Sequence, residues 1–462
     1  NAGCEISLNS DGTRVAVGAK EAGVTGWVRV FDVSGAAGAE VWTQVGQTIE
    51  GEAILDDSGH AVALSASGNR VAIGAPENDK NTGMEDREWG HVRVHELIGG
   101  TWTQMGADID ATLEGDWLGR SVDLSADGTI VAIGASQYGY GDTNNGYARV
   151  LQWSGTAWVQ MGSDIGSLDD GGSPPHRTGE SVALSADGLT VIVGTPWYFN
   201  ANNGVARVLH YDGSDWAQRG EPLLSLTTTP TSDREFGWDV SMSDNGHRVA
   251  VGAPNSHVGV WEWKIVDGSG FEWVPMGDHL TGPQGFGDAV ALSGDGNRLI
   301  VGAPGGYDET QYFDYNEAAL ASEVRGWVQV YQWDATLAEW RTMGERVLGP
   351  QASEGKGDSV AMDALGDHVA VGSCHYDSET GTGNGGQFGT GNDHGMARVY
   401  HVPRSAIYTI EPSPPPAPPI PPKPSPPPPS PSPPNVGISV YDLLDAFPGQ
   451  TGNPTSEVLF AP

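Results

Sequence analysis

The sequence has few basic residues, two cysteines and no long apolar run, and each shortage excludes a class of protein. Of its 462 residues, 23 are Lys or Arg and 59 are Asp or Glu, which gives a formal net charge of −36. Such a chain repels the phosphate backbone of nucleic acids and anionic membrane surfaces, because both attract Lys and Arg. No run approaches the roughly eighteen apolar residues that span a bilayer. We expect a soluble chain, or one processed before Asn1, that binds no nucleic acid and inserts into no membrane.

The chain does contain a repeat, and it occurs seven times. Each unit has a segment of the type VALSADGLTVIVGTP, and the aligned glycines lie 50 to 70 residues apart. These glycines are Gly18, Gly74, Gly134, Gly194, Gly252, Gly302 and Gly372. The 67 Gly and 31 Pro also disfavour long helices. A period of this length is typical of propellers and solenoids.

Each unit predicts four short strands. An alternating V-x-L-S run leads through a D-G, N-G or S-G hairpin turn into a return strand of the type R-V-A-V-G-A. The small residues of that strand let neighbouring units approach near an axis. A third strand follows a variable loop, as at Gly26, and a fourth carries Trp, as at Trp102. Unit seven lacks the Trp strand, and residues 406–410 (AIYTI) are our candidate replacement. We predict an all-β, seven-bladed β-propeller of four-stranded blades over residues 1–410.

The two cysteines fit the closure of such a ring. Cys4 precedes the first strand of unit one, and Cys374 follows the second strand of unit seven. Hairpin geometry places both on one face, in neighbouring blades. We predict a Cys4–Cys374 disulfide that closes a loop of about 370 residues and contributes several kcal/mol by loop entropy. Two buried free thiols are the alternative. A disulfide would indicate an oxidising compartment.

Two units resemble a known repeat. Residues 236–254 (FGWDVSMSDNGHRVAVGAP) and 286–304 (FGDAVALSGDGNRLIVGAP) are similar to FG-GAP repeats, the units of the seven-bladed propeller in integrin α subunits and related extracellular proteins. The other units keep only the Gly of the Phe-Gly pair. Family members often carry a D-x-D-x-D-G calcium loop in the first hairpin, whereas this chain keeps at most one Asp there, such as Asp127 or Asp295. One carboxylate does not supply the roughly six to eight oxygens that Ca²⁺ takes, so we expect no metal.

The variable loops are acidic, and in unit seven they include Asp377, Glu379, Asn384 and Asp393. These residues have no metal-binding spacing, so we interpret the loops as solvated, with a cation site as the alternative.

Sequence motifs of catalysis are absent. The chain has no G-x-S-x-G, H-E-x-x-H, P-loop or C-x-x-C motif, and His176, His257, His375 and His394 share no spacing. We expect no catalytic residue, no cofactor and no enzyme. Chemistry between two carboxylates in the central pore is the alternative.

The composition changes after the ring, and residues 411–434 form a Pro/Ser-rich linker. Residues 412–434 contain 16 prolines in 23 positions, which favours a polyproline II rod of roughly 70 Å at about 3.1 Å per residue. The SPPPP run at 425–429 resembles the repeat of extensins and other hydroxyproline-rich glycoproteins of plant and green-algal walls. The resemblance implies hydroxylated prolines and O-glycans; an undecorated linker is the alternative. The implied glycosylation positions are Pro414, Pro415, Pro416, Pro418, Pro419, Pro421, Pro422, Ser425, Pro426, Pro427, Pro428, Pro429, Ser430, Pro431, Ser432 and Pro433.

The last segment, residues 435–462, is apolar again and too short to bury a core of its own. We predict that it docks by β-augmentation, with the outer edge of blade seven as a candidate acceptor. Docking on its own ring gives a monomer, whereas docking on the next ring gives a head-to-tail contact that builds a filament if it does not close. The predicted docking residues are Val436, Ile438, Val440, Leu443, Leu444, Phe447, Val458, Leu459 and Phe460.

These features predict a structural subunit of an extracellular glycoprotein filament, a cell-surface or cell-wall appendage of the kind of mastigoneme-like hairs. Its partner is then another copy of itself, with covalent O-glycans, and cell-wall or extracellular-matrix components are further candidates. The alternative is a secreted adhesion or carbohydrate-binding propeller on a Pro-rich stalk. In that case exposed tryptophans such as Trp89, Trp117, Trp197 and Trp238 would stack on sugars.

Overall fold

The sequence units fold into seven antiparallel sheets arranged as the blades of a propeller in the computed structural model. The structure describes residues 3–20, 25–35, 41–79, 88–136, 145–166, 176–197, 204–225, 235–254, 256–266, 268, 270–282, 285–304, 326–349, 356–374, 396–402 and 439–441. Among these residues every element is a strand, and no helix is long and apolar enough to cross a membrane. The predicted fold class is confirmed.

The strands follow the chain blade by blade. Blade one contains β1 (Glu5–Leu8), β2 (Arg14–Ala19), β3 (Trp27–Ser34), β4 (Val41–Gln44) and β5 (Ile49–Glu50), and blade two contains β6 (Ala61–Leu64), β7 (Arg70–Ala75), β8 (His91–Ile98), β9 (Thr101–Gln104) and β10 (Ile109–Asp110). Blade three contains β11 (Leu118–Leu124), β12 (Ile130–Ala135), β13 (Tyr147–Trp153), β14 (Trp158–Gln160) and β15 (Ile165–Gly166), and blade four contains β16 (Val182–Leu184), β17 (Thr190–Thr195), β18 (Val205–Tyr211), β19 (Trp216–Gln218) and β20 (Leu223–Leu224). Blade five contains β21 (Val240–Met242), β22 (Arg248–Ala253), β23 (His257–Val266), β24 (Gly270–Pro275) and β25 (Leu280–Thr281). Blade six contains β26 (Ala289–Leu292), β27 (Arg298–Ala303), β28 (Trp327–Asp334) and β29 (Glu339–Leu348), and blade seven contains β30 (Ser359–Met362), β31 (His368–Ser373), β32 (Met396–His401) and β33 (Ser439–Tyr441).

The fourth, outer strand is divided in blades one to five. In blade one, for example, β4 and β5 both pair with β3, so that Trp42 lies opposite Val33 and Ile49 lies opposite Val28. In blade six both pieces merge into the single bulged strand β29. Each blade therefore has four strand positions, with the Trp segment and the following aliphatic segment sharing the outermost one.

Glycine sets the geometry of the first hairpin in each blade. The turn glycine has φ between 65° and 71° in all seven units, a conformation that side chains rarely adopt. These residues are Gly12, Gly68, Gly128, Gly188, Gly246, Gly296 and Gly366. The D-G, N-G and S-G pairs, together with the L-G pair at Gly366, therefore make the predicted turns.

A second set of glycines lets the blades touch. A Cβ added at Gly74 would collide with the carbonyl oxygen of Gly119 in the next blade, and the same relation joins Gly134 to Gly179. It also closes the ring, because a Cβ on Gly372 of blade seven would collide with the Gly3 carbonyl of blade one. The prediction that small residues allow close approach near the axis is thus confirmed.

Backbone hydrogen bonds between the first hairpins run once around the ring. Each hairpin turn donates an N–H to the turn of the following blade, at distances of 2.8 to 3.1 Å. The bonds lead from Ser10 to Ala66, Ala126, Ala186, Asp244, Gly294, Ala364 and back to Ser10. The last bond, from Ala364 N to Ser10 O, spans the junction between blades seven and one, so the ring of bonds is closed without the cysteines.

The predicted disulfide adds a covalent closure at the same junction. Cys4 and Cys374 are bonded, with their Cα atoms 4.5 Å apart and a separation of 370 positions in sequence. The Cys374 backbone N–H also donates to Asp358 Oδ2 at 2.8 Å. Burial raises the pKa of this Asp358 carboxyl to about 7.

The outer strand of blade seven comes from the C-terminal segment, at the edge that was the candidate acceptor for it. The predicted replacement strand, residues 406–410, lies outside the described residues. The outer edge of β32 instead pairs with β33, which belongs to the predicted docking segment, and His401 lies opposite Ser439. In the structure, β32 and β33 belong to the same chain.

Candidate functional site

The interfaces between blades, here called seams, carry a repeated indole hydrogen bond. In five consecutive seams the outer-strand Trp of one blade donates Nε1–H to a backbone carbonyl of the preceding blade, at 2.7 to 3.0 Å. The pairs are Trp102 to Val45, Trp158 to Met105, Trp216 to Met161, Trp273 to Arg219 and Trp340 to Met276. The accepting residue always lies three positions after that blade's own Trp. Each of these hydrogen bonds connects the outer strands of two different sheets.

Apolar side chains fill each seam beneath the indole. Trp158, for example, packs in a cluster with Met105 and Ile109 of blade two, and Trp216 packs with Met161 and Ile165 of blade three. Both apolar residues come from the divided outer strand of the preceding blade and lie four positions apart. In these two seams the outer strand therefore supplies the next blade with one carbonyl and two apolar side chains.

In the seam between blades seven and one, the described residues do not supply these contributions. Trp42 is 7% exposed and packs with Ala370, Ala397 and Val399 of blade seven. Its Nε1 atom is buried and has no hydrogen-bond acceptor among the described residues. A buried donor without a partner costs roughly 1–3 kcal/mol. Within the described part of the chain, Trp42 is thus the one outer-strand Trp in this series without the matching carbonyl.

The seam between blades six and seven is adapted differently. No Trp from blade seven reaches the Met343 carbonyl in the described residues, and Gln329 of blade six instead donates Nε2–H to it at 3.4 Å. Gln329 is 3% exposed and also donates to the Val330 carbonyl at 3.0 Å. The corresponding residue is Arg in blades one to four. A compensating side chain therefore exists on one side of blade seven, whereas Trp42 on the other side has none.

Carboxylates near the centre of the ring accept hydrogen bonds from backbone N–H groups. Each first strand contacts the first strands of both neighbouring blades, so these strands surround the axis. Asp123 accepts the backbone N–H of Leu184 from the next blade at 2.7 Å, and Asp239 accepts that of Val290 at 2.7 Å. Innermost strands are sheet edges with unpaired N–H groups. The axial Asp residues satisfy those groups from the preceding blade.

Burial raises the pKa of several axial carboxyls. It raises the pKa of Asp123 and of Asp239 to about 6. For Glu5, burial and the charge of Asp239 raise the pKa to about 8. Glu180 differs, because Arg120 donates to it through Nε and Nη2, and this lowers its pKa against the effect of burial. Asp123 and Asp239 thus accept backbone amides, and Glu180 accepts a guanidinium.

One cluster of metal-ligand types crosses a seam. Glu52 of blade one and His91 and Asp108 of blade two each place a ligand atom within 4.8 Å of the others. The guanidinium of Arg93 lies 3.5 Å from Glu52 and already neutralises part of the cluster's charge. Motif spacing did not reveal this group, because its members come from two blades.

The tryptophans proposed for sugar stacking are half-buried rather than exposed. Trp117 donates Nε1–H to Glu88 Oε2 at 2.6 Å, and the Arg177 guanidinium covers the ring of Trp197 at 3.9 Å. Trp89 and Trp238 are also half-buried. The prediction that these rings are exposed was wrong.

Other predicted residues divide between described and undescribed parts of the chain. His176 and His257 are buried, and His257 stacks on His279 with ring centroids 4.7 Å apart. Val440 lies in β33. Outside the described residues lie the remaining predicted positions: His375, His394, Asp377, Glu379, Asn384, Asp393, all the implied glycosylation positions, and the docking residues other than Val440.

Comparison with known proteins finds similar solved structures at low sequence identity. No protein-family model matches the chain, and no curated protein matches its sequence. Among solved structures, it is similar to the β-propeller domain of Cps50 (Swd1) from Myceliophteria thermophila, with 11% identity and a TM-score of 0.46, over 80% of this chain and 92% of that chain. It is also similar to a "putative 6-phosphogluconolactonase" from Bacteroides uniformis, with 13% identity and a TM-score of 0.49, over 76% of this chain and 87% of that chain.

Proposed function

We propose that this protein is a structural subunit of an extracellular filament that assembles head to tail through its C-terminal segment. One observation supports this most directly: the outer edge of blade seven pairs with β33, a strand that lies beyond a long proline-rich segment. An edge that accepts a distant strand of its own chain also accepts the same strand of another copy.

The length of the connection favours exchange between copies. A straight polyproline II rod over residues 412–434 spans roughly 70 Å. The 13 residues that flank it between Val402 and Ser439 reach at most roughly 45 Å when fully extended. They cannot bring the ends of a straight rod together, yet His401 and Ser439 are neighbours in the sheet. Pairing within one chain therefore requires a bent rod, whereas pairing with the next copy suits a straight one.

The charge of the chain supports contacts through the tail rather than between ring faces. Copies that each carry a formal charge of −36 repel one another when their surfaces approach. A strand pairing at the end of a long rod keeps the rings apart while it joins them by backbone hydrogen bonds. The repeated contact is heterologous, so it extends into a filament where it does not close.

The proposed extracellular location rests on the disulfide and on the two sequence resemblances. Disulfides persist in oxidising compartments, which include the extracellular space. The FG-GAP and extensin resemblances both point to extracellular proteins, and the second implies O-glycans on the rod. Sugars along the rod would stiffen it and keep it extended.

The competing adhesion function has less support. The tryptophans that it needs are half-buried, and two of them are engaged by Glu88 and Arg177.

Deletion of residues 435–462 tests the proposal. We expect the shortened chain to keep the β-sheet circular dichroism spectrum and the Cys4–Cys374 disulfide but to form no filaments in negative-stain electron microscopy. A shortened chain that still forms filaments would disprove the role of the tail.

A further inference from the structure

We propose that the seam between blades seven and one is the acceptor site of the filament, and that the segment from Val436 to Val440 of a second copy occupies it. This inference rests on the proposed function and adds the acceptor, the register and the group that recognises the incoming chain.

The tail contains the outer-strand pattern that blade seven lacks. In six blades the carbonyl-bearing residue is followed by Gly, and an aliphatic residue lies four positions after it. The pairs are Val45 and Ile49, Met105 and Ile109, Met161 and Ile165, Arg219 and Leu223, Met276 and Leu280, and Met343 and Val347. Val436, Gly437 and Val440 repeat the pattern a seventh time, directly after the proline-rich segment.

The tail pattern would supply the carbonyl acceptor that Trp42 needs in the seam between blades seven and one. In the position of Val45, Val436 would present its carbonyl oxygen to Trp42 Nε1, the buried donor that has no acceptor among the described residues. Val440 would take the position of Ile49, which is 5% exposed in the neighbouring seam. The seam would then hold one carbonyl and two apolar side chains, as the seam between blades two and three does.

Gly437 fits the next requirement of the site. The glycine after the carbonyl-bearing residue has φ between 68° and 80° in all six blades. In blade one a Cβ on this residue, Gly46, would lie 2.8 Å from Cδ1 of Trp102. The position thus requires glycine both for its backbone and for the indole that covers it.

The proposed register differs from the pairing within one chain. In β33, Tyr441 lies opposite Val399 and Val440 lies opposite Tyr400. By equivalence with blade one, where Val45 N donates to Val30 O at 2.8 Å, Val436 belongs opposite Val399. Val440 would then lie opposite Ala397, three residues further along β32. With the pairing within one chain, Trp42 Nε1 has no acceptor among the described residues. That register therefore satisfies one hydrogen-bond donor fewer than the proposed register would.

The length of the chain between blade seven and the tail favours a second copy as the source of the segment that occupies the seam. In the proposed register the predicted rod ends at Pro434, next to the paired strand. Only nine residues, 403–411, remain to return the chain from blade seven, and they reach roughly 30 Å at most. A straight rod of roughly 70 Å therefore brings the segment from another ring.

Disulfide trapping with full-length variants tests acceptor, register and occupant together. One preparation carries V399C, and it is mixed under mild oxidation with a second carrying either V436C or Y441C; residues opposite each other on antiparallel strands lie within disulfide range. We expect at least about ten times more covalent dimer, seen on a non-reducing gel, with V436C than with Y441C. More dimer with Y441C would overturn the register and leave the filament intact.

Further outcomes separate the inference from the proposed function. A chain carrying both V399C and V436C that bonds only within itself would overturn the second copy as occupant, and the filament with it. Filaments in which neither cysteine pair bonds would overturn the seam as the acceptor while the filament stands.

Trp42→Phe provides a matched measurement without cysteines. It removes the Nε1 donor and keeps a ring, so we expect the critical concentration for assembly to rise roughly five- to tenfold. Trp102→Phe removes the same bond from an intact seam and should lower ring stability without changing the critical concentration. Equal critical concentrations for wild type and Trp42→Phe would overturn the role of Trp42.

Discussion

Cys4 and Cys374 join the first and last blades of the ring across 370 residues of sequence. The bond lies beside a closed circle of backbone hydrogen bonds that needs no cysteine. The disulfide therefore fastens a junction that is already formed. Its effect should appear mainly as a restriction of the unfolded chain.

Removal of the disulfide should lower stability and leave the fold unchanged. For the Cys4→Ser, Cys374→Ser double variant we expect the free energy of unfolding to fall by about 2–5 kcal/mol, measured by denaturant titration. A reducing agent should destabilise the wild type to the same level and leave the double variant unaffected. A double variant as stable as the oxidised wild type would contradict this account.

The glycine contacts between blades predict a strong effect from one added methyl group. In Gly134→Ala the new Cβ would collide with the Gly179 carbonyl and with Ser121 Oγ, so we expect a loss of roughly 1–3 kcal/mol or more. Gly166→Ala in the same blade is the matched control, because nothing lies within 4 Å of its Cβ position. Equal thermal midpoints for the two variants would refute the contact.

The axial carboxyls predict an unusual dependence on pH. The pKa of Glu5 is raised to about 8 in the folded ring, so between about pH 4.5 and pH 8 the folded state holds a proton that the unfolded state has lost. This contribution to stability is full below about pH 4.5 and falls as the pH rises. Asp123 and Asp239, with pKa values of about 6, act in the same direction.

Glu5→Gln isolates the effect, since the amide stays neutral. We expect thermal midpoints equal to those of the wild type at pH 4.5 and higher at pH 8. The exposed Glu221→Gln serves as the control for the change in net charge. A Glu5→Gln variant that is less stable than the wild type at pH 8 would show that the charged form is the favoured one.

The rod predicts a mass larger than that of the polypeptide. Peptides that cover residues 412–434, taken from protein of the native source, should exceed their polypeptide mass by the mass of hydroxyl groups and sugars. Proteolysis and mass spectrometry should locate these on residues 412–434. The same chain made in bacteria is the unmodified control. Unmodified prolines in native material would reject the implied glycosylation.

The sequence predicted what is local and repeated. Hairpin turns, return strands and Trp strands follow from patterns within each unit, and the cysteine pair follows from their order. It did not predict contacts between units, such as Asp123 with Leu184 or the indole bond from Trp158 to Met105, because each joins residues 50 to 65 positions apart. For blade seven the sequence offered two segments, residues 406–410 as the replacement strand and residues 435–462 as a docking segment. The structure pairs Ser439–Tyr441 of the second segment with β32.

Cryo-electron microscopy of assembled full-length protein tests the central claim most directly. We predict rows of seven-bladed rings in which density for one copy's tail crosses to blade seven of the next and reaches Trp42. Separate rings, each carrying its own tail on its own blade seven, would contradict the account.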